Sequence, residues 1–143
     1  MSTRSIIAYQ NGDGIQAVYC HWDGYPAHNG HVLLTAYADE ERVKALVDLG
    51  ALSLLAVNLA PPAGQHHDFE SPLPDVTIAY HRDRKEPWEY THPHHYHSAA
   101  ELYGDRDSYG AEYIYLFKDG NWRWTPCTAR DPEWRPLTDS DCR

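Results

Sequence analysis

The chain has 143 residues, 21 acidic and 12 basic side chains, ten histidines and a formal net charge of −9. That length suits one domain over residues 1–143, and 11 Tyr and 5 Trp offset a thin aliphatic stock, so the composition points to a folded, acidic, aromatic-rich protein. It excludes a membrane span, since no apolar run approaches about 18 residues, and a duplex nucleic-acid binder, whose phosphate contacts need a basic footprint.

Ser5 to Gln10 is apolar and β-branched at Ile6 and Ile7. Asn11-Gly12-Asp13-Gly14 tolerates positive φ, and the next segment alternates, with Ile15, Ala17, Tyr19 and His21 opposite Gln16, Val18, Cys20 and Trp22. Together they predict a hairpin. After the Asp23-Gly24-Tyr25-Pro26 turn, a short helix starts at Asn29 or Gly30. Asp39 as N-cap, the Val43, Leu46, Val47 stripe and Gly50 as C′ residue predict a second helix over 39–49. Residues 51–59 suit a short strand or buried loop, 61–74 a loop, and 76–82 a strand. Residues 85–110 look like a surface excursion carrying one short helix, capped by Ser98 with Glu101 three positions on. The Tyr113, Tyr115, Phe117 alternation, Asp119-Gly120 and the Trp122, Trp124 segment predict a closing hairpin. Residues 128–143 read as an irregular tail. The sum is an α+β domain: an antiparallel sheet built from hairpins, with two or three helices packed on one face.

Several stretches resemble a family of small proteins from bacteriophages, prophages and other mobile elements. They are Ser2-Thr3-Arg4-Ser5, Tyr19-Cys20-His21-Trp22-Asp23-Gly24-Tyr25-Pro26, Leu33-Leu34, Leu49-Gly50, Ala79-Tyr80-His81-Arg82-Asp83-Arg84 and the closing hairpin. The resemblance covers most of residues 2–124. It implies a context, an accessory protein that inhibits or modulates a host protein such as a defence factor, and no particular reaction.

Two constellations could carry chemistry. His21-x-Asp23 and His81-x-Asp83 share a spacing that places both side chains on one face of a strand end. If the two ends adjoin, the four form a set for metal binding or proton transfer, as in a metal-dependent phosphodiesterase. The structural alternative has His21 and Asp23 bonding turn backbone and Asp83 pairing with Arg82, Arg84 or Arg106. His92, His94, His95 and His97 form the richest metal-ligand run, a candidate for a divalent cation, with His66-His67-Asp68 as further donors. The alternative is a plain exposed loop. Trp22, Tyr25, Trp88, Tyr90, Trp122 and Trp124 could form a stacking pocket for a nucleotide base, with Arg82 or Arg84 on its phosphate. Tyr and Trp equally suit a protein interface. No Ser or Cys lies in a nucleophile motif.

These residues favour a binding protein over an enzyme. The expected partner is a host protein met through acidic, aromatic surface, with a small nucleotide ligand as alternative and self-association open. Three cysteines without a CxxC pair and a start lacking a signal-peptide pattern fit the cytoplasm of a bacterial host.

Overall fold

A computed structural model describes residues 2–12 and 14–143. Met1 and Asp13 lie outside the described residues, and so does that part of the first predicted turn. The elements in chain order begin with strands β1 (Ser5–Asn11) and β2 (Gly14–Cys20). A π turn (Pro26–Gly30) then runs into helix α1 (His31–Ala36), followed by α2 (Glu40–Asp48), β3 (Leu52–Leu54) and β4 (Ile78–Ala79). Helices α3 (Tyr80–Arg84) and α4 (Trp88–Thr91), strand β5 (His94–Tyr96) and helices α5 (Ala99–Gly104) and α6 (Arg106–Tyr109) come next. The chain closes with β6 (Tyr113–Lys118), β7 (Asn121–Pro126), β8 (Arg135–Pro136) and a 3₁₀ turn (Asp139–Cys142).

The class is α+β. The strands form one sheet in the order β4-β3-β2-β1-β6-β7-β8, with β5 on the free part of the β2 edge. Both predicted hairpins are present, with Asn11 opposite Gly14 and Lys118 opposite Asn121. The sheet is mixed rather than antiparallel, because β1 runs parallel to β6 and β2 parallel to β3. Turn chemistry fixes pairing within a hairpin, but not the way two hairpins dock across a hundred residues of chain.

Strand β1 sits at the centre, and Ser5 through Tyr9 are all buried. That burial needs cover on both faces, and the helices divide accordingly. On one face Ile7, Val18, Cys20, Tyr115 and Phe117 pack with Leu33 of the first helix, Tyr37 just past its end, and Val43, Leu46 and Val47 of the second. On the other face Ile6, Ala8, Ile15, Ala17, Ile114 and Leu116 pack with Tyr96, Leu102 and Tyr103. The single helical layer expected from the sequence is therefore corrected to two. Residues 85–110 are not an excursion: they supply α4, β5, α5 and α6 and close the second face. Their few aliphatic residues concealed this, because tyrosines do the covering. Residues 128–143 are likewise more than a loose tail, since Leu137 and Cys142 are buried in the first core and Trp134 packs on the second.

Local signals behave as their chemistry requires. The Asp39 carboxylate caps α2 by accepting from the Arg42 amide at 2.9 Å, and the Ser98 hydroxyl caps α5 by accepting from the Glu101 amide at 3.1 Å. Long tyrosine and tryptophan side chains tie the layers together. Trp122 Nε1 donates to the Tyr37 carbonyl at 2.8 Å, and the Tyr37 hydroxyl donates to the Ala56 carbonyl at 2.7 Å.

Candidate functional site

The paired His-x-Asp motifs do not form one site. The segment predicted as a strand over 76–82 yields only the two-residue β4 before turning into α3, so His81 and Asp83 stand on a helix and do not share a face. The turn is locked from within. The buried Asp83 carboxylate accepts from the Ala79 amide at 2.7 Å and from Arg82 at 2.9 and 3.0 Å. Arg82 also donates to the carbonyls of Leu59 and Thr77, at 2.8 and 2.7 Å. Its donors hold the 59–77 loop and do not serve as a phosphate ligand. Arg84 lies over the Phe69 ring at 4.6 Å, and His81 donates to the Glu86 carbonyl at 2.8 Å. Asp23 occupies a left-handed turn position and accepts from the Tyr25 hydroxyl at 3.3 Å. Trp22 and Tyr25 are exposed at that turn, 42 and 39% accessible.

The histidine run is a strand, not a loop. Strand β5 pairs with β2, His94 opposite Ala17 and His95 opposite Gln16. Alternation then splits the four candidate ligands into two pairs. His92 and His94 stack with centroids 5.3 Å apart, and His95 meets His97 at 5.1 Å on the opposite face. Among the described residues no three His, Cys, Asp or Glu side chains gather as a metal-binding group.

What the fold does assemble is a cleft on the second face, between α4, β5, α6 and the end of β2. It measures about 360 Å³ and is lined by Tyr19, Ala51, Tyr90, Thr91, His92, His94, Asp105, Ser108 and Tyr109. Each lining group has a local cause. Tyr19 continues the Ile15, Ala17 stripe of β2 just past the core. Helix α4 is pinned to the end of α2 where the Ala51 amide donates to the Thr91 carbonyl at 2.7 Å. That approach needs a residue without a side chain at position 50, and Gly50, at φ 82°, provides it. His94 faces the cleft because its neighbour Tyr96 faces the core.

A hydrogen-bond network fixes the floor. Tyr96 donates its hydroxyl proton to Asp105, so the Tyr109 hydroxyl, 2.8 Å away, donates to the Tyr96 oxygen. Ser108 donates to the other oxygen of Asp105 at 2.6 Å. These two hydroxyls, Ser108 first and Tyr96 second, hold the Asp105 carboxyl below the usual carboxylate range, and its ionised form persists at neutral pH. Burial, reinforced by Asp105, pushes Tyr96 up, and burial pushes Tyr109 up, so both remain phenols. At the wall, Arg4 Nε donates to the Tyr19 oxygen at 3.0 Å, and the Tyr19 proton therefore goes to His21 Nδ1 at 2.5 Å. Burial and then the Arg4 charge lower the His21 pKa.

The sequence flags Tyr90, His92 and His94, but not Tyr19, Asp105, Ser108 or Tyr109. Asp105 and Ser108 did carry a signal, the Asp-x-x-Ser spacing at which a hydroxyl bonds back to a carboxylate in a tight turn. Nothing in the chain indicated that this turn lies beside the histidine pair. Comparison with known protein families, curated proteins and solved structures gives no match.

Proposed function

We propose that this chain is a small accessory protein of phage type that works by binding a host protein stoichiometrically, through the cleft and the exposed Tyr90 at its rim. The observation that carries the reading is the placement of the aromatics. Tyr90, at 76%, is the most exposed large hydrophobic side chain among the described residues and lines the cleft, whereas Trp22, Tyr25 and Trp88 are at 42, 39 and 43%. An exposed Tyr beside a concave site is one of the residue types that dominate protein–protein hot spots. The net charge of −9 favours a basic partner surface. The sequence resemblance supports the phage context, and a cytoplasmic location in the infected host follows from that context. Nothing in the geometry supports a reaction at the His-x-Asp pairs, whose side chains are committed to separate local contacts.

The test is affinity capture from bacterial lysates, with the intact protein and a Tyr90→Ala variant as baits. The expected result is one partner held at fixed stoichiometry by the intact protein and lost by the variant, whose melting temperature stays unchanged. Empty baits across several hosts, or equal capture by both, would overturn the proposal. A second reading, a free small ligand, is favoured by one observation: the cleft volume of about 360 Å³ falls within the usual range for ligand sites. The nucleotide form of that reading loses Arg82, whose donors go to Asp83, Leu59 and Thr77.

A further inference from the structure

The cleft is polarised. Among its lining residues Asp105 is the one carboxylate and none is a lysine or arginine, and the rings of Tyr19, Tyr90 and Tyr109 stand with it around the space. Phenol faces are electron-rich and attract cations, the more so where water is partly displaced. Each oxygen of Asp105 accepts one hydroxyl and retains a second lone-pair direction. The carboxylate is thus fixed in position while still able to accept from a ligand. We infer that the cleft is a receptor for a guanidinium group, and specifically, resting on the reading above, for an arginine side chain of the partner protein.

Arginine is favoured over lysine by geometry. A planar guanidinium stacks on rings, sheds water more readily than an ammonium and meets a carboxylate with two parallel donors. The chain already makes this contact within itself: Arg42 over Tyr37, Arg84 over Phe69, Arg106 over Tyr103 and Arg135 over Trp124, at 4.0 to 5.0 Å. Among the described residues, the three tyrosines of the cleft have no such cation over their faces. The surrounding charges agree. Glu89 and Asp107, on α4 and α6, are exposed. Arg106 is turned away toward the Tyr103, Cys127 and Ala129 carbonyls. Arg4 is held at the Tyr19 hydroxyl and is not a lining residue.

The test is a titration followed by NMR, using N-acetyl-arginine amide, its neutral isostere N-acetyl-citrulline amide, and spermidine as a free polyamine. The arginine amide is expected to shift the Tyr90, Tyr109 and His94 ring signals saturably, with the citrulline amide weaker by about tenfold or more. Asp105→Asn removes the charge, leaves a single oxygen to accept one of the two hydroxyls, and should lower affinity by a similar factor of about ten. Tyr90→Ala, at a largely exposed position, should also weaken it without affecting folding. No saturable shift, equal binding of the citrulline amide, or saturation by spermidine alone would overturn the inference. The Asp105→Asn protein as lysate bait separates the two proposals. Partner capture that survives this change removes the arginine site and leaves partner binding standing. Arginine-amide binding with no partner captured by the intact protein does the reverse.

Discussion

Replacing Gly50 by alanine should loosen the fold and open the cleft together. At φ 82° a β-carbon on residue 50 would stand 2.3 Å from the Thr91 carbonyl oxygen and 3.0 Å from Trp88 Cζ3. The left-handed backbone alone costs a non-glycine residue about 1 kcal/mol. The overlap is with backbone, so no rotamer change relieves it, and α4 must withdraw by about 1 Å to restore an ordinary contact. That movement lengthens the 2.7 Å bond from the Ala51 amide to Thr91, worth about 1 kcal/mol. The expected loss is about 2–3 kcal/mol in urea unfolding, with an unchanged slope. Tyr90 and His92 travel with α4, so the arginine-amide affinity should fall in the same variant. Gly104 is the control: a β-carbon there meets nothing within 4 Å and its φ is not left-handed, so Gly104→Ala should stay within about 0.5 kcal/mol of the parent or gain. If Gly50→Ala matches that control, the close approach of α4 to the end of α2 is wrong, and the account of the cleft fails with it.

Three further outcomes follow from the hydrogen-bond networks. Tyr96→Phe removes the donor to Asp105 and the acceptor of Tyr109, and should cost about 1–3 kcal/mol. The Asp105 carboxyl then rises toward its ordinary value, measurable by carbon-detected NMR titration; no rise would refute the network. The folded pKa of Asp105 lies below the unfolded value, so its stabilisation is complete above about pH 4 and is lost as pH falls through the folded value. Ser108→Ala should therefore lower stability at neutral pH and converge with the parent in acid, whereas a constant difference at all pH values would contradict that assignment. Asp83→Ala should cost about 3 kcal/mol, because it strips the Ala79 amide and Arg82 of a buried partner. A variant of full stability would mean that Asp83 is free for another role.

The parts of the fold that could be read from sequence are those set by short-range chemistry. Asn11, Gly12 and Gly14, Asp119-Gly120, Asp39 and Ser98 each encode a turn or cap within four residues, and each appears where its chemistry puts it. The alternation of Tyr113 to Phe117 was equally legible, since a strand buried on both faces still sorts its residues by parity. What sequence could not supply were contacts between such units: the parallel docking of β1 on β6, and the tyrosine-rich second layer that few aliphatics announced. The 76–82 segment failed for a related reason. Its β-branched start suits a strand, but the Asp83 carboxylate reaches back to the Ala79 amide and turns the chain into a helix after two residues.

The same division separates the histidine run from the residues that line the cleft. His92 to His97 look like one ligand set because they are adjacent in sequence. Pairing of β5 with β2 sends His94 and His95 to opposite faces, and adjacency then works against a shared site. Residues 19, 90, 94, 105 and 109 lie far apart or on different elements, and they converge because β5 and α6 roof the second face. Their chemistry is complementary where the histidine run was merely repetitive: electron-rich rings around one carboxylate whose proton is kept off by two hydroxyls. A site of that kind selects for positive charge and planarity. Substitutions at Tyr90 should accordingly change recognition while sparing the fold, and those at Asp105, Tyr96 or Gly50 should change both.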